Sequence, residues 1–265
     1  MGPEYENLLF QKTGGVADVA FNRPASANAI NLDMARDLCD AIRICAEDPG
    51  IRAVVLRGEG SLFCAGGDLK AFGAQLPAQL PGYLERVTHF LHRAVATFTH
   101  MSSPIIATVH GSAAGAGFSI ACACDFVIAE KSAKFTMAYT KAALTPDGSS
   151  TYFLPRIVGQ RKALELAILN PVLSADEAYA LGIVTRVVPD GEAVAAATAI
   201  ATELAAGPTG AYGGVKRLLL ASAHNALDTQ MSREAEWLIS RSRTKDAREG
   251  IAAFIAKRAP KFSGD

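Results

Sequence analysis

Residues 104–117 read Pro-Ile-Ile-Ala-Thr-Val-His-Gly-Ser-Ala-Ala-Gly-Ala-Gly, and this stretch decides the fold. Ile105 to Val109 is almost wholly apolar and rich in β-branched side chains, as suits a strand covered on both faces. Strands of that kind belong to a largely parallel sheet with helices packed against it. Gly111, Gly115 and Gly117 then let the chain turn tightly and bring backbone N–H groups close to a neighbour or a ligand. An apolar helical stretch from Phe118 to Ala123 follows.

The same arrangement occurs upstream at residues 53–70, Ala-Val-Val-Leu-Arg-Gly-Glu-Gly-Ser-Leu-Phe-Cys-Ala-Gly-Gly-Asp-Leu-Lys. Ala53 to Leu56 is a second buried strand, and a helix is expected after Asp68. Further out, Val16 to Phe21 reads as a strand closed by Asn22-Arg23-Pro24, whose proline removes a ladder donor. Between Asp33 and Glu47, the residues Met34, Leu38, Ala41, Ile42 and Cys45 recur at intervals of three and four, the signature of an amphipathic helix.

Downstream, Ser174-Ala175-Asp176-Glu177 is a capping box opening a helix that stops at Gly182, before the strand-like Ile183 to Val188. From Glu192 onward helical periodicity and alanine dominate, and no strand signal follows Thr209. The expected organisation is therefore an α/β core over residues 1–206 and a helical C-terminal subdomain over residues 207–265.

Composition narrows the function classes. The 265-residue chain is half hydrophobic, enough to bury a large core. Lys plus Arg and Asp plus Glu each number 26, giving no net charge and no basic field for nucleic acid or anionic lipid. Cys39, Cys45, Cys64, Cys122 and Cys124 are scattered through apolar surroundings, as reduced thiols of a cytoplasmic protein would be, and no metal ligand set is expected. No apolar run reaches the roughly 20 residues that span a bilayer, and no leader pattern is seen, so a soluble cytoplasmic protein is expected.

Three segments could carry chemistry. Phe63-Cys64-Ala65-Gly66-Gly67-Asp68-Leu69-Lys70 is either a tight turn with Asp68 as a helix cap or a cradle for an oxyanion. His110 to Gly117 is the second such loop. An oxyanion hole needs two converging donors, and the N–H groups of Gly67 and Ala116 are the candidates. Gly115-Ala116-Gly117 lacks the third glycine of a dinucleotide fingerprint, no Gly-Lys-Ser/Thr ending marks a phosphate loop, and Ser112 is misplaced for a nucleophile elbow. The third segment, Leu144-Thr145-Pro146-Asp147-Gly148-Ser149-Ser150-Thr151, is a turn in which Asp147 is either a helix cap or a catalytic carboxylate.

In this order and at this spacing the three segments resemble the crotonase (enoyl-CoA hydratase/isomerase) superfamily, from the first strand to Lys257-Arg258. The resemblance implies a β-β-α spiral core, a helical C-terminal trimerisation region and a homotrimer or dimer of trimers. It also implies an acyl-CoA thioester substrate whose oxyanion is held by Gly67 and Ala116. CoA and substrate contacts would fall at Arg23, Ala65, Lys70, Tyr139 and, from a neighbouring subunit, Lys257. No cofactor is implied beyond the coenzyme A of the substrate.

Hydratases of this family use two glutamates, whose positions fall here on Ser119 and Tyr139. Adding water needs one group to activate it and a proton for the α-carbon, so ordinary hydration is not expected. Asp147, in the run from Ala133-Lys134-Phe135 to Pro146-Asp147-Gly148, looks most like the single carboxylate of the ring-epoxide and Δ3,Δ2-enoyl-CoA isomerases of phenylacetate degradation. One carboxylate suffices for a 1,3-proton shift. An apolar pocket walled by Phe72, Phe90, Met137 and Tyr139 would strengthen Asp147 as a base. The rest of the acyl pocket is expected from Ala71 to Arg86 and from C-terminal helices.

Two other readings use the same residues. Aryl-CoA dehalogenases of the superfamily carry a nucleophilic Asp where Asp147 falls and a His where His92 falls. However, Leu91 and Tyr139 stand here where those enzymes have tryptophans, and Gly67 where they have a bulky aromatic. A diverged hydratase, or a non-catalytic acyl-CoA or RNA binder, is the remaining alternative, and the balanced charge argues against RNA.

Overall fold

The computed structural model describes residues 3–265. The amphipathic segment forms helix α1 (Leu32–Glu47), opened by the Asn31 side chain accepting from the Met34 N–H at 2.9 Å. Its buried residues are Met34, Ala35, Leu38, Ala41, Ile42 and Cys45, so the expected stripe is the face that packs inward.

The main sheet contains β1 (Leu8–Thr13), β2 (Val16–Phe21), β3 (Ala53–Gly58), β4 (Ile105–Val109), β6 (Phe126–Glu130) and β9 (Arg186–Val188), in the order β1-β2-β3-β4-β6-β9. Only β1 runs antiparallel to its neighbour. A second sheet, ordered β5-β7-β8, joins β5 (Ser112–Ala114), β7 (Lys134–Thr136) and β8 (Leu173–Ser174). Each time the chain leaves β4 or β6 it adds a short strand to this second sheet before its next helix, which is the β-β-α spiral.

Alternate residues of β3 explain its unbroken apolar run. Val54 and Leu56 enter the large core with α1 and α3 (Leu80–His100), whereas Ala53 and Val55 enter a second core under α8 (Ala193–Ala206). That helix presents Ala193, Ala197, Ala201 and Ala205 at four-residue spacing, small enough to let it lie close to the strands.

The remaining helices are α2 (Leu69–Gly73), α4 (Ala116–Ala123), α5 (Ser150–Val158), α6 (Gln160–Leu169), α7 (Ala175–Ala180), α9 (Thr209–Ser222), α10 (Leu227–Ser242) and α11 (Lys245–Ile255). Helix α7 carries the complete capping box of Ser174 and Glu177. Lys216 pins α9 to the core, bonding the Phe98 carbonyl at 2.9 Å and the Asp125 carboxylate at 2.7 Å. All five cysteines are free thiols. No helix among the described residues is long and apolar enough to cross a membrane.

Candidate active site

The two glycine-rich loops are joined by a parallel bridge. Cys64 pairs with Ala113, exchanging Cys64 N–H to Ser112 O at 3.1 Å and Ala114 N–H to Cys64 O at 3.0 Å. Gly66 has φ +101°, and a Cβ there would lie 2.9 Å from the Ala114 carbonyl oxygen. Gly115 has φ 50° and ψ −123°, a conformation reserved for glycine, and turns the chain from β5 into α4.

This geometry frees the two expected N–H groups. The bridge between Ile30 and Gly67 uses the Gly66 carbonyl and the Asp68 N–H, at 2.7 and 3.0 Å, so the Gly67 N–H points to the other side. Ala116 is the first residue of α4, and helix starts leave their N–H groups without intrahelical partners. Among the described residues neither N–H finds a protein acceptor. Asp68 is also the cap expected of it, accepting from the Ala71 N–H at 3.0 Å.

Gly67 and Ala116 line a cavity of about 270 Å³, together with Ala65, Tyr139 and Asp147. Its wall is otherwise nearly all apolar, with Ile30, Leu69, Phe72, Leu84, Val87, Leu91 and Leu144. Thr88 donates its hydroxyl to the Leu84 carbonyl at 2.9 Å. Asp147 is the one ionisable carboxyl on this wall, and no Lys, Arg, His or Cys lines it.

Asp147 sits just before α5 and does not cap it: its carbonyl, not its carboxylate, accepts from the Ser150 hydroxyl at 3.0 Å. The carboxylate is 27% exposed. The Tyr139 hydroxyl donates to its Oδ1 at 2.6 Å, and the Ser119 hydroxyl lies 2.8 Å from that phenol oxygen. Burial, reinforced by the charge and hydrogen bond of Asp147, holds the Tyr139 phenol above its ordinary range, so it remains a donor.

His92 Nε2 stands 3.9 Å from Asp147 Oδ2, beyond hydrogen-bond reach, and accepts instead from the Gly148 N–H at 3.3 Å. Its exposed ring faces a neighbouring cavity lined by Val95, Ser149 and Tyr152.

The other expected site residues are spread more widely. Lys70 is exposed at the start of α2, next to the wall residue Leu69. The Arg23 guanidinium is committed within the chain, to Asp68 at 3.0 Å and to the Ala29 carbonyl, where it braces the first loop. Lys257 is exposed just beyond α11, away from the cavity wall.

Of the four expected wall aromatics, Phe72 and Tyr139 line the cavity. Phe90 instead lies beneath the Arg36 guanidinium, and Met137 is buried towards α5 and α6. Among the described residues none beyond Asp147 lines the cavity, so besides the two glycine-rich loops, Ile30 and Phe72, its wall comes from α3 and residues 138–147 and not from the expected C-terminal helices. Val87 and Leu91 of α3 were not named as wall residues from the sequence, although with Leu84 they recur at helical spacing, a signal that could have found them; the Ser119–Tyr139–Asp147 contact carried no such signal.

The family model described as "Enoyl-CoA hydratase/isomerase" matches residues 11–265. The 1,2-epoxyphenylacetyl-CoA isomerase of Escherichia coli (strain K12) is 37% identical over 259 residues, covering 98% of this chain and 99% of its own. The 4-chlorobenzoyl coenzyme A dehalogenase-2 of Arthrobacter sp is 30% identical over 251 residues, covering 95% and 91%. A crystal structure of an enoyl-CoA hydratase from Polaromonas sp. JS666 superposes with a TM-score of 0.91 at 33% identity, covering 96% of this chain and 98% of that one. With two free N–H groups and a carboxylate on one apolar cavity, and with matches over nearly its whole length, the chain belongs to the enoyl-CoA hydratase/isomerase family of acyl-CoA enzymes.

Proposed function

We propose that the chain is an enoyl-CoA isomerase in which Asp147 carries out a 1,3-proton shift, with opening of a ring epoxide as the variant suggested by the Escherichia coli relative. The observation that carries this reading is the single carboxylate on a largely apolar cavity that Gly67 and Ala116 also line. Asp147 removes a proton from the carbon between the thioester and the double bond. The charge spreads onto the thioester oxygen between the Gly67 and Ala116 N–H groups, and the proton returns two carbons away. No water is consumed and no cofactor is needed beyond the coenzyme A of the substrate.

In this proposal Ala65 and Lys70 meet the coenzyme A at the cavity mouth, and Lys257 reaches it from a neighbouring subunit. The exposed Leu219, Leu238, Phe254 and Ile255 of the C-terminal region are the kind of apolar surface that a homotrimer or dimer of trimers would cover. A cytoplasmic setting fits an enzyme working on soluble thioesters.

The test is conversion of a 3-enoyl-CoA to its 2-enoyl isomer, followed by product analysis. Asp147→Asn should abolish conversion while leaving thioester binding intact, and accumulation of a 3-hydroxyacyl-CoA instead would establish a hydratase. A second reading, with Asp147 as nucleophile, is favoured by the Arthrobacter relative and by His92 at 3.9 Å. Single turnover in H2(18)O would then place label in Asp147, whereas proton transfer leaves it unlabelled.

A further inference from the structure

The two positions that a hydratase of this family would give to its glutamates are joined here in one hydrogen-bonded chain. Ser119 is fully buried on α4, with its hydroxyl 3.2 Å from the Gly115 carbonyl and 2.8 Å from the Tyr139 hydroxyl. Tyr139 in turn donates to Asp147 Oδ1 at 2.6 Å. The chain thus runs from the residue preceding the Ala116 donor to the carboxylate across the cavity.

The contacts of Asp147 are lopsided. Oδ1 holds the phenol, while Oδ2 takes part in no hydrogen bond among the described residues; His92 Nε2 stands 3.9 Å from it, already accepting from Gly148. A carboxylate free to turn about its last bond would present either oxygen in many orientations. One anchored through Oδ1 presents Oδ2 in one direction, and such pre-organisation lowers the entropy cost of reaching the transition state. The turn is packed against the same chain, since a Cβ on Gly148 would lie 3.1 Å from Ser119 Cβ.

We infer that Tyr139, backed by Ser119, is a positioning residue that occupies Asp147 Oδ1 and leaves Oδ2 as the oxygen that moves the proton. This rests on Asp147 being the base, as proposed above. The former acid and base positions have become the support of a third residue, which ties the oxyanion loop and the base to one network.

The experiment compares Tyr139→Phe, Ser119→Ala, their double variant and Asp147→Asn in isomerisation of a 3-enoyl-CoA, with kcat, KM and thermal unfolding measured for each. Phenylalanine keeps the ring and removes only the donor. Expected for Tyr139→Phe is a fall in kcat of about 10–100-fold, the range set by a hydrogen bond to a charged group. KM and the unfolding midpoint should stay close to wild type.

Ser119→Ala should act in the same direction but less, and the double variant should be no slower than Tyr139→Phe alone, because the serine works through the tyrosine. Unchanged kcat in Tyr139→Phe, beside an inactive Asp147→Asn, would overturn the positioning role and leave the base assignment standing. Additive losses in the double variant would also overturn it. An active Asp147→Asn would remove the base assignment and this inference together. Should Tyr139→Phe fail to fold, Ser119→Ala decides: a wild-type kcat there would overturn the relay.

Discussion

Gly117→Ala perturbs the proposed oxyanion hole without touching either proposed donor or the proposed base. Gly117 is the second residue of α4, and alanine is the better helix former by about 1 kcal/mol, so propensity alone predicts a more stable protein. Packing opposes this. The new Cβ would press into the Cys64 carbonyl oxygen and stand 2.7 Å from Cys64 Cβ, where carbon atoms rest at about 3.5–4.0 Å. The loops carrying Gly67 and Ala116 must therefore part by about 1 Å. Overpacking of this kind costs about 1–3 kcal/mol, leaving a net destabilisation of at most about 2 kcal/mol after the propensity gain. The catalytic effect is larger, because losing one oxyanion donor costs about 3–4 kcal/mol, or about 10²–10³-fold in kcat. Isomerase kcat, thioester Kd and the urea midpoint measured together should show the rate collapsing far more than stability or binding. A folded Gly117→Ala enzyme with kcat within about threefold of wild type would refute the two-loop oxyanion hole.

Two smaller predictions test the neighbouring chemistry and the tail. His92→Ala removes one long hydrogen bond to Gly148, worth about 0.5–1 kcal/mol, so kcat should fall only about two- to fivefold; a loss beyond about 100-fold would favour the nucleophilic reading of Asp147. Burial alone would raise the Asp246 carboxyl, but the N–H groups of Ser263 and Gly264, at 2.6 and 2.8 Å, outweigh it and hold the group below its ordinary range. A depressed value in the folded state means a stabilisation present above about pH 4 and lost as the pH falls below it. Hydrogen-exchange protection at residues 263–264 should drop over that window, and Asp246→Asn should flatten the dependence.

The elements legible in the sequence are those whose pattern is local and repeated. Val16–Phe21 is a strand with the bounds its apolar run and following proline suggest, and Leu32–Glu47 and the Ser174 capping box follow from side chains a few residues apart. Strand β1 escaped notice because it is a sheet edge with Leu8 as its one fully buried side chain. The strands β5 and β7 are three residues each, too short to show any period.

The candidate site divides the same way. Gly67, Ala116 and Asp147 stand out because small residues after buried strands, and a carboxylate in a turn, are visible one segment at a time. The role of Tyr139 depends on where a half-buried ring directs its hydroxyl across eight residues of non-periodic chain. Leu91 and His92 show the limit from another side: neighbours in sequence, they point about 100° apart on α3, one into each of two cavities.

The most direct test of the central claim is solvent exchange. Purified protein incubated in D2O with an enoyl-CoA, and followed by proton NMR, should incorporate deuterium at the α- or γ-carbon. Asp147→Asn should slow that incorporation by at least about 10²–10⁴-fold while binding the same thioester with unchanged affinity. Exchange at the wild-type rate in Asp147→Asn would contradict Asp147 as the proton-transferring group.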